Sequence, residues 1–317
     1  MPLFLSHALS FLGRHAAIEL PISVSLGLII PSLAEMLTPL LVPALLTPLT
    51  LSLVRIQTDQ LVNTTQQWKL LSLLCIWVLI MSPLIIWGLL SISPIPEPIA
   101  MAAIIASTAP PVTACAAIAL FLRLNAALSV VITVVTMLLI PLTLPPMVHY
   151  LVGLEIEISL WQLSLRLTGF ILAAFLLALG IKRFIGTAQV KNLAPVLDGI
   201  SVIFISLFII GIMRGVTELF LQQPEFVWLT LGVSSAVIFG LYLLSTLIFW
   251  RLGASTAMAI GLVSGNCNLG LMYLVLADQA PLEILIFFAI GQIPMYCLPT
   301  LLAPIIRCLL LTERRRQ

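Results

Sequence analysis

The chain has 317 residues, of which 61% are hydrophobic and only 8% charged, with a formal net charge of +2 and a mean hydropathy of +1.22. Soluble domains carry roughly 25% charged residues, so a water-soluble fold could not cover its surface with so few. The apolar runs are continuous, which excludes a membrane β-barrel with alternating strands; the class that remains is an all-α polytopic membrane protein.

The chain opens with "MPLFLSHALSFLGRH". It has no basic start and no small-residue cleavage site, so residues 1–15 read as an N-terminal interfacial segment rather than a signal peptide. Ten apolar runs near the ~20 residues of a membrane crossing follow. The first five lie at 16–34, 37–54, 68–91, 97–122 and 126–150. The second five lie at 160–185, 195–219, 228–252, 254–277 and 282–310.

The fourth run contains Pro110-Pro111 near its centre. Proline lacks the N–H, clashes with the carbonyl one turn back and pushes its predecessor out of helical angles. A break is therefore predicted there, flanked by Ser107, Thr108 and Thr113. The fifth run places Asn125, Ser129, Thr133 and Thr136 on one helical face, although such hydroxyls also bond their own backbone. The ninth run contains "GLVSGNCNLGLM", Gly261 to Met272. Gly265 and Gly270 weaken the helix, and Ser264, Asn266 and Asn268 place polar groups at a depth where lipid cannot satisfy them. The two asparagines could serve as glue between packed helices; matched with the break in the fourth run, they predict a cavity where solute or ions bind. Gln292, close to Pro294, is the candidate from the tenth run.

Four cysteines (Cys75, Cys115, Cys267, Cys297) fall inside apolar runs with no CxxC pattern, and read as small packing residues. No metal centre and no resident cofactor are expected; hydroxyl and amide oxygens suit a hard monovalent cation such as sodium. Mid-membrane segments offer no His, Asp or Glu for a nucleophile–base pair, so an enzyme is not expected. No nucleic-acid partner is expected either, only membrane lipid and a transported solute.

Alternating the ten spans puts twelve Lys and Arg on the side of the N-terminus and only Arg166 and Arg214 on the other. That bias places both termini in the cytoplasm of a cell that inserts the chain into its inner membrane. Trp68, Trp161, Trp228 and Trp250 sit at run ends as interfacial anchors. "PLTLPP" at 141–146 and "PTLLAP" at 299–304, Trp68 and Trp228, and Ser107 and Ser264 all recur at about half the chain length. Residues 16–150 and 160–311 are thus read as two five-span repeats. An odd number of spans inserts the second copy upside down, and inverted repeats with interrupted helices point to a secondary transporter with its site near the midplane.

"STAPPVTACAAIALFLRLNAALSVVITVVTMLLIPLTLPP" from Ser107, "GLVSGNCNLGLMYLVL" from Gly261 and "VLDGISVIFISLFIIGIMRGV" from Val196 resemble the bile acid:sodium symporter, or SBF-like, family. The resemblance implies ten helices as two inverted repeats, with helices 4 and 9 unwound and crossing near the membrane centre. It implies a core domain (68–150 and 228–311) moving against a panel (16–54 and 160–219), and sodium bound around the crossing. Carried over by position, Ser107, Thr108, Thr113, Ser129, Thr133, Asn266 and Asn268 become site candidates. The family's ninth-helix glutamate and glutamine are absent from "VSGNCN".

The reading is a secondary active transporter that moves a small organic anion by alternating access with a cation, sodium, as partner. The anion is suggested by half-helix N-termini at the crossing and by the resemblance. A channel or non-transporting membrane receptor is the alternative. An arsenite-type efflux carrier is a further one, since Cys115 lies in the right helix, although Pro111 holds the place of that branch's cysteine.

Overall fold

The computed structural model describes residues 3–55, 68–153, 159–277 and 279–314. Among these residues the chain is helical and forms no strand, as expected where lipid offers backbone groups no hydrogen bonds. Seven stretches are long and apolar enough to cross a membrane: Pro31–Arg55, Trp68–Ser91, Ala126–Val152, Leu160–Ile185, Thr187–Gln222, Pro224–Ile248 and Leu282–Leu310. Ile18–Ile29, Glu97–Thr108 and Ala254–Gly265 are shorter apolar helices. Large apolar side chains such as Leu142, Leu172 and Leu176 stand at least half exposed, which suits lipid and not water. Trp68, Trp161 and Trp228 are more than 60% exposed. The protein is a multi-pass membrane protein.

In chain order the helices are α1 (Leu3–Arg14), α2 (Ala16–Ile29), α3 (Pro31–Leu37), α4 (Leu41–Arg55), α5 (Trp68–Ile76), α6 (Ser82–Ser91), α7 (Glu97–Thr108), α8 (Cys115–Phe121), α9 (Ala126–Val152), α10 (Leu160–Ile185), α11 (Thr187–Ile212), α12 (Val216–Gln222), α13 (Pro224–Ile248), α14 (Ala254–Gly265), α15 (Leu269–Leu276), α16 (Leu282–Ile290) and α17 (Gln292–Arg314). A π-helical turn, Trp77–Met81, joins α5 to α6.

Several bounds differ from the apolar runs, for local reasons. The first run is expected to reach residue 34, but α2 stops at Ile30, which takes φ −121°, ψ 76° because Pro31 follows it. Pro31 then starts the next helix at a position where its missing N–H costs nothing. The seventh run is expected from 195, whereas α11 begins at Thr187; Lys191 and Asn192 are polar but do not end a helix. Gly186 precedes α11 and Gly215 precedes α12, both at φ 81°, a region that glycine enters without a Cβ clash. The tenth run divides at Gly291 into α16 and α17.

The helices sort into two compact units, Met1–Ile56 with Thr168–Trp228 and Gln57–Leu167 with Leu229–Gln317. In the first unit α11 packs against α1, α2, α3 and α4. Residues 3–14, expected at the membrane surface, lie against α11 so closely that a Cβ on Gly199 would stand 2.0 Å from the Leu9 carbonyl oxygen. Arg55 pairs with Asp198, and Arg214 with Glu35 at 3.4 Å.

In the second unit α16 is buried from Ile284 to Ile290 and packs against α7 and α15. In lipid, contacts of this kind contribute through close packing more than through release of water. α9 packs against α7, α8 and α14, and α17 against α14. The Trp77 indole N–H donates to Ser245 Oγ at 2.9 Å within the core, tying the π turn to α13.

Candidate functional site

Two chain breaks meet in the second unit. α7 ends at Thr108, and Ala109 turns extended at φ −68°, ψ 150°. α14 ends at Gly265, and Asn266 leaves the helix at φ −90°, ψ 70°. Pro111 and Cys267 then face each other in an isolated antiparallel bridge. Val112 N–H donates to the Asn266 carbonyl at 2.8 Å, and Asn268 N–H donates to the Pro110 carbonyl at 2.7 Å. The bonds are reciprocal, so each break satisfies backbone groups of the other. Prolines suit this junction because they end α7 and bring no further N–H that would need a partner.

The half-helix after the second break is held locally. Asn268 caps α15, its Oδ1 accepting from Leu271 N–H at 3.1 Å. Such a cap contributes about 1 kcal/mol. Asn125 caps α9 in the same way, accepting from Leu128 N–H at 3.1 Å, and its amide Nδ2 donates to Thr256 Oγ1 on α14 at 3.4 Å. Arg166 reaches the Val275 carbonyl at the far end of α15 at 3.1 Å, a favourable place for a cation at a helix C-terminus.

Most of the predicted hydroxyls turn back onto their own helices. Ser107 donates to Ile104 O at 2.6 Å, Thr108 to Ile105 O at 2.7 Å and Ser264 to Ile260 O at 2.9 Å. Ser129 donates to Asn125 O at 3.2 Å and Thr136 to Ile132 O at 2.6 Å. Their protons are engaged, while each hydroxyl oxygen keeps acceptor capacity. Thr113 lies half-buried in the turn before α8.

Asn266 and Gln292 differ from these. Asn266 is 0% and Gln292 1% exposed. Neither atom of either side-chain amide has a hydrogen-bond partner, and neither does Thr133 Oγ1, itself 4% exposed. A buried polar group left unsatisfied costs about 1–3 kcal/mol. Groups kept in this state in a well-packed core call for a functional reason. All three belong to segments around α14: Asn266 follows it directly, and α9 and α17, which carry Thr133 and Gln292, pack on it.

The glycines have a role that spacing alone did not reveal. A Cβ on Gly265 would stand 2.5 Å from Ile238 O, and one on Gly261 would stand 2.6 Å from Tyr242 O. They are four residues apart and face α13, the small-residue spacing that lets two membrane helices approach closely. Gly270 lies inside α15 rather than in the break. Cys115, read as a packing residue, points its thiol at Leu262 O and Asn266 O at 3.9 and 4.0 Å.

Among the described residues no group of three or more His, Cys, Asp or Glu could hold a metal ion. The donors at the breaks are neutral oxygens and amides, fitted to hydrogen bonding or to a hard cation.

A family model described as the sodium bile acid symporter family matches residues 39–223, which takes in the Pro110–Pro111 break and stops short of the second. Against curated proteins the chain finds no match. The match spans more than half of the sequence, and the protein belongs to the sodium bile acid symporter family.

Proposed function

We propose that the protein is a secondary active transporter that moves a small organic anion together with sodium by alternating access. The observation that carries this reading is the reciprocal bonding of Pro110–Val112 with Asn266–Asn268, together with the buried, unpartnered amides of Asn266 and of Gln292 on a helix that packs against α14. Irregular backbone at membrane depth is tolerated where it is buried in protein or lines a cavity. Sodium and an organic solute are what the family's description names.

An inverted repeat with ten crossings is supported by the element bounds. The interval in the chain from Pro31 to Thr187 equals that from Trp68 to Pro224 and that from Pro111 to Cys267. α7 and α14, the arms that lead into the breaks, are each 12 residues long. In this reading 68–150 and 228–311 form the core that carries the site, and 16–54 and 160–219 form the panel. Both termini lie in the cytoplasm, and Ser107, Thr108, Thr113, Ser129, Thr133, Ser264, Asn266, Asn268 and Gln292 supply oxygens or amides to solute and cation.

The test is uptake in proteoliposomes, with a panel of radiolabelled organic anions and an inward sodium gradient. Concentrative, sodium-dependent accumulation of at least one anion is expected. In the same assay the Asn268→Ala variant should lose accumulation while remaining folded and monodisperse. Passive equilibration that ignores the gradient would instead identify a channel.

A further inference from the structure

The stretches of chain that form the breaks carry no fixed charge of their own. No Asp or Glu occurs in 98–154, 226–277 or 284–312. No Lys, Arg or His occurs in 98–122, 124–148 or 254–306. These stretches include both breaks and almost all of α7, α8, α9, α14, α15 and α16. The polar groups they offer are hydroxyls, carbonyls and the unpartnered amides of Asn266 and Gln292, with Thr133 Oγ1 on α9, a helix that packs on α14.

Neutral donors of this kind can orient an ion but cannot neutralise it. An isolated charge taken from water into such surroundings is strongly disfavoured. The difficulty is the same for a cation, which finds no carboxylate in these stretches, and for an anion, which finds no basic group in them, Arg166 meeting them only at the Val275 carbonyl at the far end of α15. It is relieved when the two enter together, because each is then the other's counter-charge.

We infer that sodium and solute bind this core as one neutral pair, the solute's own anionic group completing the cation's ligand shell in place of a protein carboxylate. The inference rests on the transporter reading and adds to it the charge of the solute and its part in holding the cation. The solute carries one net negative charge for each sodium. Neither member binds tightly alone, and each raises the affinity for the other by the same factor, on the order of 5–150-fold. The loaded core crosses the membrane with no net charge, so transport is insensitive to membrane potential.

The test needs no knowledge of the solute. The purified full-length protein is melted in detergent in sodium chloride and in choline chloride of equal ionic strength. The wild-type chain is expected to melt at the same temperature in both, because sodium alone lacks its counter-charge. Asn266→Asp and Gln292→Glu each place a carboxylate of nearly unchanged shape on an amide that makes no hydrogen bond. At least one of them should gain a sodium-specific rise in melting temperature, reporting about tenfold or greater tightening. A wild-type protein stabilised by sodium alone to the same degree would overturn the pairing and leave sodium coupling standing. If neither the wild type nor either variant responds to sodium, these donors do not bind a cation, and the sodium-coupled reading falls together with the pairing.

Discussion

Replacing Gly265 by alanine tests whether the approach of α14 to α13 positions the site. The added Cβ would stand 2.5 Å from Ile238 O and 3.3 Å from Tyr242 Cβ. A carbon–oxygen contact relaxes near 3.3 Å, so the two helices must part by about 0.8 Å. Overpacking of that kind costs roughly 1–3 kcal/mol. Against it stands the gain of roughly 0.5–1 kcal/mol when a helical glycine becomes alanine. A net loss of about 1–2 kcal/mol remains, and for a chain of this size that lowers the melting temperature by roughly 2–5 °C. The shift also reaches the next residue, Asn266, whose carbonyl holds Val112 at 2.8 Å. A displacement near 1 Å at a site can cost ~100-fold in rate, so uptake should fall more steeply than stability. Gly240→Ala is the control, because nothing lies within 4 Å of a Cβ at that position of α13. It should melt at or slightly above the wild type and transport normally. Thermal melting in detergent at one fixed scan rate, with uptake measured in parallel, decides the matter. Equal melting temperatures and equal uptake for the two alanine variants would refute the argument.

Trp77→Phe removes the indole donor 2.9 Å from Ser245 Oγ and leaves that buried hydroxyl unpaired; a loss of about 1–3 kcal/mol is expected, read as a lowered melting temperature. Arg55→Ala breaks the pair with Asp198, whose side chains are 27% and 40% exposed, so solvent screening limits the loss to at most about 1 kcal/mol, and high salt should shrink the difference between variant and wild type. Asn268→Ala removes the α15 cap, costing about 1 kcal/mol of stability; its melting temperature should therefore drop only slightly while accumulation disappears.

The breaks were legible because their causes are local. Pro110-Pro111 cannot continue a helix whatever surrounds it, and Asn266 and Asn268 are conspicuous in an apolar run. Their reciprocal bonding was not legible, since it joins residues far apart in the chain. The same limit applies to Gly261 and Gly265, which look like weak points in a helix until the carbonyls of Ile238 and Tyr242 are seen opposite them. The spacing of the polar stripe puts it on one face of α9, but the sequence could not say which hydroxyls are already engaged. Ser129 and Thr136 bond their own helix, and Thr133 Oγ1 has no partner. Residues 1–15 read as an interfacial segment for want of a signal-peptide pattern; the packing of α1 depends on Gly199, which no periodicity in α1 reveals. Asp59, Glu155, Glu157 and Asp278 lie outside the described residues.

The two hydrogen bonds between the breaks run from main chain to main chain, so they ask nothing of the side chains at Val112 and Asn268 except that neither be proline, which has no N–H to give. The junction can therefore outlast wide drift in the sequence around it, and a chimera that exchanges only one of the two segments should keep the crossing as long as positions 112 and 268 retain their donors.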